Sequence, residues 1–466
     1  MPKSAADSNT RTGFDKEMRA IAKYVVDKKI RSKEAYRIAH YNLMDSMGCA
    51  ILALNFPACT KLLGPIVPNA TLKKGVRVPG THFELDPVQG AFNIGTLIRW
   101  LDFNDAFLAA EWGHPSDNLG GILAVADYMN RQGHKILMKD VLTCMIKAHE
   151  IQGVMSLKNS FNRKGFDHVV LVKLATAAIA TYLLGGDKDD ICNVQSQVWI
   201  DGPSLRTYRH APNVGSRKSW AASDATSRGV WLALITMRGE TGYPSVLTAK
   251  NWGFYDINFN SKTFKFERAY DAYIMKHVLF KASFPAEFHA QTAVEAAIKL
   301  HSSVKGRLND IKKIVIRTQE SAVRIISKTG KLYNPADRDH CIQYMIAIGL
   351  IFGKLTADDF EDKRAKDSRI DKLRKKMTVK EDKQFSRDYL NPKKRSIANA
   401  IQIFFNDGSK TDEVVVEYPY GHHRRRKEGL PLLEEKFRRN LLTYFSEKKV
   451  DTLCELFSNV KKFELH

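Results

Sequence analysis

Long apolar stretches with helical periodicity alternate with short polar segments over the first half of the chain. Residues 33–54 predict one long helix, and residues 169–184, rich in alanine and leucine, predict another that stops at two glycines. Residues 224–238 repeat that pattern before a further glycine, and residues 118–131 follow Ser116, which we predict to be the N-cap. This part of the chain is therefore expected to be helical.

The pattern changes after about residue 276, where strand signals mix with helical ones. Residues 311–318 read as a strand, and residues 398–405 and 413–418 read as a hairpin with Asp407-Gly408 in its turn. Further helices are predicted at residues 288–300, at residues 339–352, and from residue 432 to the end.

These elements predict a mainly α protein with an α+β part. We expect a large all-helical domain made from residues 1–275 and 420–466, and a smaller α+β lid domain formed by residues 276–419. A cleft between two domains is a favoured place for a ligand.

Composition is that of a globular protein, with 44% hydrophobic and 27% charged residues in a chain of 466. The longest apolar runs, residues 47–54 and 345–352, are far shorter than the roughly 20 residues that a membrane helix needs. Residues 1–14 are polar and lack the apolar core of a signal peptide. We therefore expect a cytoplasmic protein without a membrane partner.

Cofactor and metal motifs are missing from the sequence. The six cysteines are scattered without a Cys-x-x-Cys pair, which favours buried thiols over a zinc site, an iron–sulfur cluster or disulfides. The chain also has no Gly-x-Gly-x-x-Gly or Walker sequence. We predict neither a cofactor nor a metal.

The formal net charge of +22 raises the possibility of nucleic-acid binding. Much of the excess lies in runs that look like exposed surface, at residues 363–383, 393–395 and 422–427, and acids interrupt the first of them. No helix-turn-helix, zinc finger or RNA-binding aromatic pattern is present. We therefore predict a basic surface without a nucleic-acid partner, and a positive field that gathers a small polyanion is the alternative that we retain.

Two neighbouring runs, residues 101–105 and 111–121, combine acids with a histidine and a predicted helix start. Carboxylate and imidazole are the groups whose pKa values proteins tune for proton transfer near neutral pH, so Asp102 and His114 are candidate catalytic residues. A helix cap or a buried ion pair is the structural alternative for Asp102.

Four further segments are polar where a core would be apolar. A lysine among other cations loses proton affinity, and arginine suits carboxylates because its planar fork binds both oxygens. Each of these residues could instead serve a structural hydrogen bond or an exposed surface, and sequence spacing alone does not bring them into one site. The candidates in these segments are His168, Arg206, Arg209, His210, Arg217, Lys218, Lys281 and Tyr333, and the fourth segment continues through Asp337-Arg338-Asp339-His340.

Several of these motifs together resemble the MmgE/PrpD family, and within it the branch that dehydrates 2-methylcitrate. The resemblance extends from about residue 15 to about residue 440. It implies a helical domain with a smaller lid domain, a homodimer, and dehydration without an iron–sulfur cluster in propionate breakdown. The motifs that carry it are Arg99–Asp105, Glu111–Gly121, Arg206–Asn213, Arg217–Ala222, Trp252–Asp256 and Phe284–His289.

The family also includes a decarboxylase whose site residues can be matched by motif. The resemblance implies catalytic roles for a set of five residues, and it matches a lid tyrosine to Tyr333. The chain differs from the decarboxylase at Ala106 and at Glu111-Trp112-Gly113, which favours the dehydratase branch and leaves the individual roles open. The five residues are Asp102, His114, His168, Lys218 and Lys281.

The expected reaction is the reversible dehydration of 2-methylcitrate, a tricarboxylate, to 2-methyl-cis-aconitate. Elimination needs a base for the carbon-bound proton and an acid for the departing hydroxyl, and Asp102 with His114 is the first choice, with His168 as the alternative. Amides of the helix near Ser116 could hold one carboxylate. Hydration of citrate or aconitate, decarboxylation and epimerisation of a related polyacid remain alternatives. The expected carboxylate ligands are Arg206, Arg209, His210, Arg217, Lys218 and Lys281.

Overall fold

The structure, a computed structural model, describes residues 13–458, so residues 1–12 and 459–466 lie outside the described part. Helices account for most of the first 280 residues. They are α1 (Lys16–Asp27), α2 (Lys33–Ala53), α3 (Pro57–Thr60), α4 (Pro87–Arg99), α5 (Leu119–Arg131), α6 (Met138–Lys158), α7 (Val169–Leu183), α8 (Lys188–Asp201), α9 (Arg217–Thr236), α10 (Phe254–Asn258) and α11 (Tyr273–His277).

The remaining elements form a mixed region followed by two terminal helices. Its helices are α12 (Gln291–Val304), α13 (Glu320–Ile326), α14 (Pro335–Arg338), α15 (Ile342–Phe352), α16 (Asp362–Ala365), α17 (Ser368–Arg374), α18 (Lys383–Leu390), α19 (Arg426–Leu442) and α20 (Glu447–Ser458). The strands of the chain are β1 (Val76–Arg77), β2 (Glu84–Leu85), β3 (Phe107–Leu108), β4 (Trp112–Gly113), β5 (Ile311–Thr318), β6 (Met377–Glu381), β7 (Asn399–Phe405) and β8 (Val414–Val416).

The main predicted helices are confirmed, but the predicted N-cap of α5 at Ser116 is wrong. α2 and α7 end within one residue of their predicted ends, whereas α9 begins seven residues before its predicted start at residue 224. Ser116 does not cap α5, because a short 3₁₀ turn, Pro115–Asn118, precedes that helix. The Ser116 hydroxyl instead donates to Asp105 over 2.7 Å. Within residues 13–458, no helix is long and apolar enough to cross a membrane.

One mixed four-stranded sheet, in the order β6-β5-β7-β8, forms the β part. β5 pairs antiparallel with β7 and parallel with β6, and β7 pairs with β8 in the predicted hairpin. Gly408 supplies the positive φ of 85° in the hairpin turn. Strand β6 was not predicted, because its half-exposed edge position lets polar residues replace the apolar alternation.

Two hydrophobic cores follow this division. One lies among the first eleven helices and includes Leu433 and Phe437 of α19, which packs against α2. The other lies between the sheet, α12 and α15. The protein is therefore mainly α with an α+β part, as predicted. The borders at residues 275 and 420 stay a prediction, and the return of α19 to the first core supports them.

Side-chain and backbone bonds join the segments around Asp102 and Lys281. The Ala106 amide donates to the Leu279 carbonyl over 2.7 Å. The buried Lys436 ammonium of α19 donates to the carbonyl oxygens of Phe103, at 2.7 Å, and Lys281, at 3.1 Å. Asp45 of α2 lies 2.6 Å from the same nitrogen and balances its charge. These bonds fix the segment that carries Asp102 against the segment that carries Lys281.

Candidate active site

Asp102 lies just beyond the end of α4, in a left-handed backbone conformation with φ 49°. Such a conformation in a residue other than glycine costs about 1–3 kcal/mol and is concentrated at functional sites. Its buried Oδ1 accepts hydrogen bonds of 2.6 Å from Arg99 Nη1 and from Lys281 Nζ. Burial by itself raises the pKa of Asp102, but the charges of Arg99 and Lys281 hold it well below its usual range. The carboxylate is therefore ionised and is a weak base.

His114 presents one ring nitrogen to this carboxylate. Its Nδ1 donates to the Asp105 carbonyl over 2.6 Å, which assigns the hydrogen to Nδ1 because a carbonyl can only accept. Nε2 then carries the lone pair and lies 3.6 Å from Asp102 Oδ1. Burial and the charge of Arg99 hold the pKa of His114 well below its usual range. The ring is thus a neutral base with a carboxylate beside its free nitrogen.

Asp105 holds the segment around His114 in place. Its carboxylate accepts from the Ser116 amide at 3.0 Å, from Asn42 Nδ2 at 2.7 Å and from His149 Nε2 at 3.0 Å. Burial raises the pKa of Asp105, but the bonds from His149, Ser116 and Asn42 outweigh it and the pKa is lowered. The Ser116 amide, which we expected to be available to a substrate carboxylate, is therefore occupied by the protein's own Asp105.

Lys218, in the first turn of α9, forms a second charged group with Asp339 and His340. Its ammonium donates to both Asp339 oxygens, at 2.5 Å for Oδ2, and lies 3.0 Å from His340 Nδ1. His340 Nδ1 is also 4.0 Å from Asp102 Oδ2, which links this group to the first. Burial lowers the pKa of Lys218, and burial with the Lys218 charge lowers that of His340 to about 4.

A third group surrounds Asp167. Arg209 donates to both oxygens of Asp167, and Arg206 Nη1 lies 3.6 Å from Oδ2. That nitrogen of Arg206 is buried and has no hydrogen-bond partner among the described residues. Neither ring nitrogen of His168 has such a partner, and its ring centre is 5.9 Å from that of His114. Burial lowers the pKa of His168 to about 3.

The structure thus brings seven of the ten candidate residues together and leaves three at the edge or outside. Arg217 bonds Asp224 over 2.8 Å and stacks on Trp220. His210 is exposed. Tyr333 is 68% exposed. The binding roles of these three stay predictions.

Arg99, Asp117, Asp339 and His340 belong to the same cluster, although the sequence did not assign them roles. Arg99 Nε lies 3.7 Å from Asp117 Oδ1, and burial raises the pKa of Asp117 to about 7. Arg99 could have been identified from the sequence as a candidate, because it is the one charged residue within α4. Asp339 and His340 lie in a segment that the sequence did mark as polar.

Buried cations are numerous in this cluster. Five of them lie among the ionised carboxylates Asp102, Asp167 and Asp339, and two further acids with lowered pKa values, Asp105 and Glu287, adjoin them. Cations held together in one place favour an anionic ligand. Asp102, Asp339 and His340 offer ligand atoms within 4.8 Å of one another, a spacing that could suit a metal ion. Both carboxylates of this trio are already bonded to lysine ammonium groups. The cations are Arg99, Arg206, Arg209, Lys218 and Lys281.

Comparison with known proteins identifies the family of this chain. The MmgE/PrpD N-terminal domain matches residues 19–267, and the MmgE/PrpD C-terminal domain matches residues 284–461. The chain belongs to the MmgE/PrpD family. Membership accounts for the two-part architecture, and the family resemblance found in the sequence is confirmed.

Individual MmgE/PrpD relatives are similar over nearly their whole length. The 2-methylcitrate dehydratase of Escherichia coli (strain K12) is 58% identical over 461 residues, covering 97% of this chain and 95% of that protein. The 2-methylcitrate dehydratase of Cupriavidus necator is 60% identical, covering 92% and 90%. The mitochondrial 2-methylcitrate dehydratase of Yarrowia lipolytica is 56% identical, covering 97% and 88%.

The buried His168 should make the protein less stable as the pH falls below about 6.5. Its folded pKa of about 3 lies below the unfolded value near 6.5, so the unfolded state takes up the proton first and stability present above pH 6.5 is lost. We expect His168→Gln to remove about 2 kcal/mol of the decrease in unfolding free energy between pH 7 and pH 5, measured by urea denaturation. His134→Gln, which changes an exposed histidine, should keep the wild-type decrease. An equal decrease in H168Q and wild type would contradict the assignment.

Proposed function

We propose that this site catalyses the reversible dehydration of 2-methylcitrate to 2-methyl-cis-aconitate without an iron–sulfur cluster. The observation that carries the proposal is the neutral His114 ring, whose free Nε2 lies beside Asp102 in a buried cluster that holds five cations. A base beside fixed positive charge suits removal of a proton next to a carboxylate. The names of the full-length relatives supply the substrate.

The proposed step begins with His114. Nε2 takes the proton from the carbon that bears the methyl group, and the electrons of that bond form the double bond. The imidazolium that results is stabilised by Asp102, 3.6 Å away. Asp102 is therefore the proposed counter-ion of the base, a change from its expected role as a proton-transfer partner, because two cations hold it ionised.

The carbon–oxygen bond breaks as the double bond forms, and the departing hydroxide needs a proton. Lys218 is the proposed donor, since its buried ammonium gives up a proton more readily than an exposed lysine does. Negative charge that develops on the neighbouring carboxylate is proposed to meet the unbonded Nη1 of Arg206 and the remaining N–H of Lys281. Water and 2-methyl-cis-aconitate then leave.

A homodimer and a place in propionate catabolism complete the proposal, and both rest on the family resemblance. The intact protein should have twice the 52.8 kDa mass of one chain in light scattering at micromolar concentration. A mass that stays at one chain over the whole range of concentrations would reject the dimer and leave the proposed reaction untouched.

The reaction itself is tested by ultraviolet absorbance with chelator present. Wild-type protein should produce the conjugated double bond, faster from 2-methylcitrate than from citrate. His114→Gln should lower turnover by about 10²–10⁴-fold, the usual contribution of a general base. His134→Gln is the matched control and should keep full turnover.

Three results would contradict this assignment. A flat trace from folded wild-type protein would reject dehydration. Release of carbon dioxide would identify a decarboxylase instead. Full turnover by H114Q would remove His114 from the role of base.

Arg206 should contribute to substrate binding through its free Nη1. Arg206→Gln should raise KM by about 10–100-fold, the range for losing a hydrogen bond to a charged group, with a smaller change in kcat. Arg228→Gln is the matched control, because that arginine bonds Asp201 outside the site. Steady-state kinetics with 2-methylcitrate measure both variants. An unchanged KM in R206Q would exclude Arg206 as a carboxylate ligand.

A further inference from the structure

Asp339 and His340 lie in the charged cluster, and neither has a part in the reaction described so far. We propose that this pair serves Lys218: Asp339 positions its ammonium, and His340 returns a proton to it after each turnover. This inference rests on the proposed function, in which Lys218 protonates the departing hydroxide. It makes His340 a residue needed for repeated turnover and makes Asp339 a positioning residue.

The hydrogen bonds of Lys218 carry the first step of the argument. An ammonium has three N–H groups, and Lys218 has three acceptors: both oxygens of Asp339 and, at 3.0 Å, His340 Nδ1. A proton can go to a departing hydroxide only if one of these acceptors releases its hydrogen bond. The bonds from Lys218 to Asp339 join two charged groups and are shorter than the bond to His340. The bond to His340 is therefore the one that breaks when the proton is transferred.

His340 can give up the hydrogen bond from Lys218 because its Nδ1 has two partners, one that accepts a hydrogen bond and one that donates it. Nδ1 lies 2.8 Å from Asp339 Oδ1, which can only accept, and 3.0 Å from Lys218 Nζ, which donates while it is charged. With its hydrogen on Nδ1 the ring bonds Asp339 and leaves the third N–H of Lys218 for the substrate. With its hydrogen on Nε2 the ring instead accepts from Lys218. The tautomer therefore decides whether the Lys218 proton is available.

The same ring has a route for replacing the proton. After Lys218 has protonated the hydroxide, its neutral amine becomes an acceptor for Nδ1–H. His340 passes that hydrogen to Nζ and takes one at Nε2 from solvent, into which the His114 imidazolium releases the proton that it took from carbon, so charge balances over the cycle. The His340 side chain is 8% exposed and that of Asp339 is 13% exposed, whereas that of Lys218 is fully buried. The histidine is therefore the member of the pair with solvent exposure.

The charges around His340 favour a neutral ring that exchanges protons over a permanently charged imidazolium. Lys218 repels a proton on the ring, and it lies closer than Asp102, whose Oδ2 is 4.0 Å from Nδ1. Asp339 faces the ring from its own segment, and Glu287 faces it from the segment before α12, where it bonds His289. Burial, together with the Lys218 charge, outweighs these carboxylates and lowers the pKa of His340, so the ring is neutral when Lys218 is charged and can accept or donate without a net charge change.

The test separates the first turnover from later ones by stopped-flow absorbance, with 2-methylcitrate in several-fold molar excess over an enzyme concentration high enough for the first turnover to be visible. His340→Gln starts with a charged Lys218, so its first turnover should keep the wild-type rate while later turnovers slow by about 10²-fold or more. Asp339→Asn should slow the first turnover itself, because Lys218 then loses the carboxylate that holds it charged and in place. His134→Gln should match the wild type in both phases.

Each remaining result decides against a defined part of the inference. Later turnovers of H340Q at the wild-type rate would overturn proton return by His340. Equal slowing of the first and later turnovers in H340Q would assign His340 a purely structural role and also overturn it. His340→Asn serves as the second variant if H340Q does not fold. No absorbance change from wild-type protein would reject the proposed function, a result distinct from either failure of His340.

Discussion

Compensation of buried charge is the constraint on which the active site depends. An isolated carboxylate or ammonium in a protein interior costs several kcal/mol, so each must be paired with groups of opposite charge and with hydrogen bonds. Asp102 meets that requirement through Arg99 and Lys281, and Asp339 meets it through Lys218. Arg206 still keeps an Nη1 without a hydrogen-bond partner among the described residues, so one donor is left over for an anion from outside.

The same constraint explains why distant parts of the chain meet at this point. Arg99 comes from the end of α4, Lys218 from the start of α9, and Lys281 from the link toward the second core. Lys436, more than 150 residues later, bonds the carbonyl oxygens beside Asp102 and Lys281, and it is neutralised by Asp45 of α2. Because a buried ammonium without its acceptors would be unstable, these bonds define the relative placement of the segments as well as their charge.

Local pattern was enough to predict much of the fold and only part of the site. The helices α2 and α7, strand β5 and the β7–β8 hairpin follow from periodicity and turn residues, which act over a few positions. The edge strand β6 was missed because its pairing with β5, about 60 residues earlier, determines its structure. Ser116 looked like a helix cap, but tertiary contact with Asp105 turned its amide and hydroxyl elsewhere. Arg217 has the same surroundings in sequence as Lys218, yet helix geometry directs the two side chains apart, to Asp224 and to Asp339.

The source of the positive charge also distinguishes this cluster from a metal site. Asp102, Asp339 and His340 are spaced like metal ligands, and here Lys218 and Lys281 supply the positive charge that a divalent ion supplies in other sites. A metal ion can polarise a hydroxyl, whereas an ammonium can also hand over a proton and take one back. An ammonium that gives up a proton needs a partner that protonates it again. Imidazole is the side chain suited to that exchange near neutral pH. A histidine beside Lys218 is therefore the arrangement that the proposed proton transfer requires.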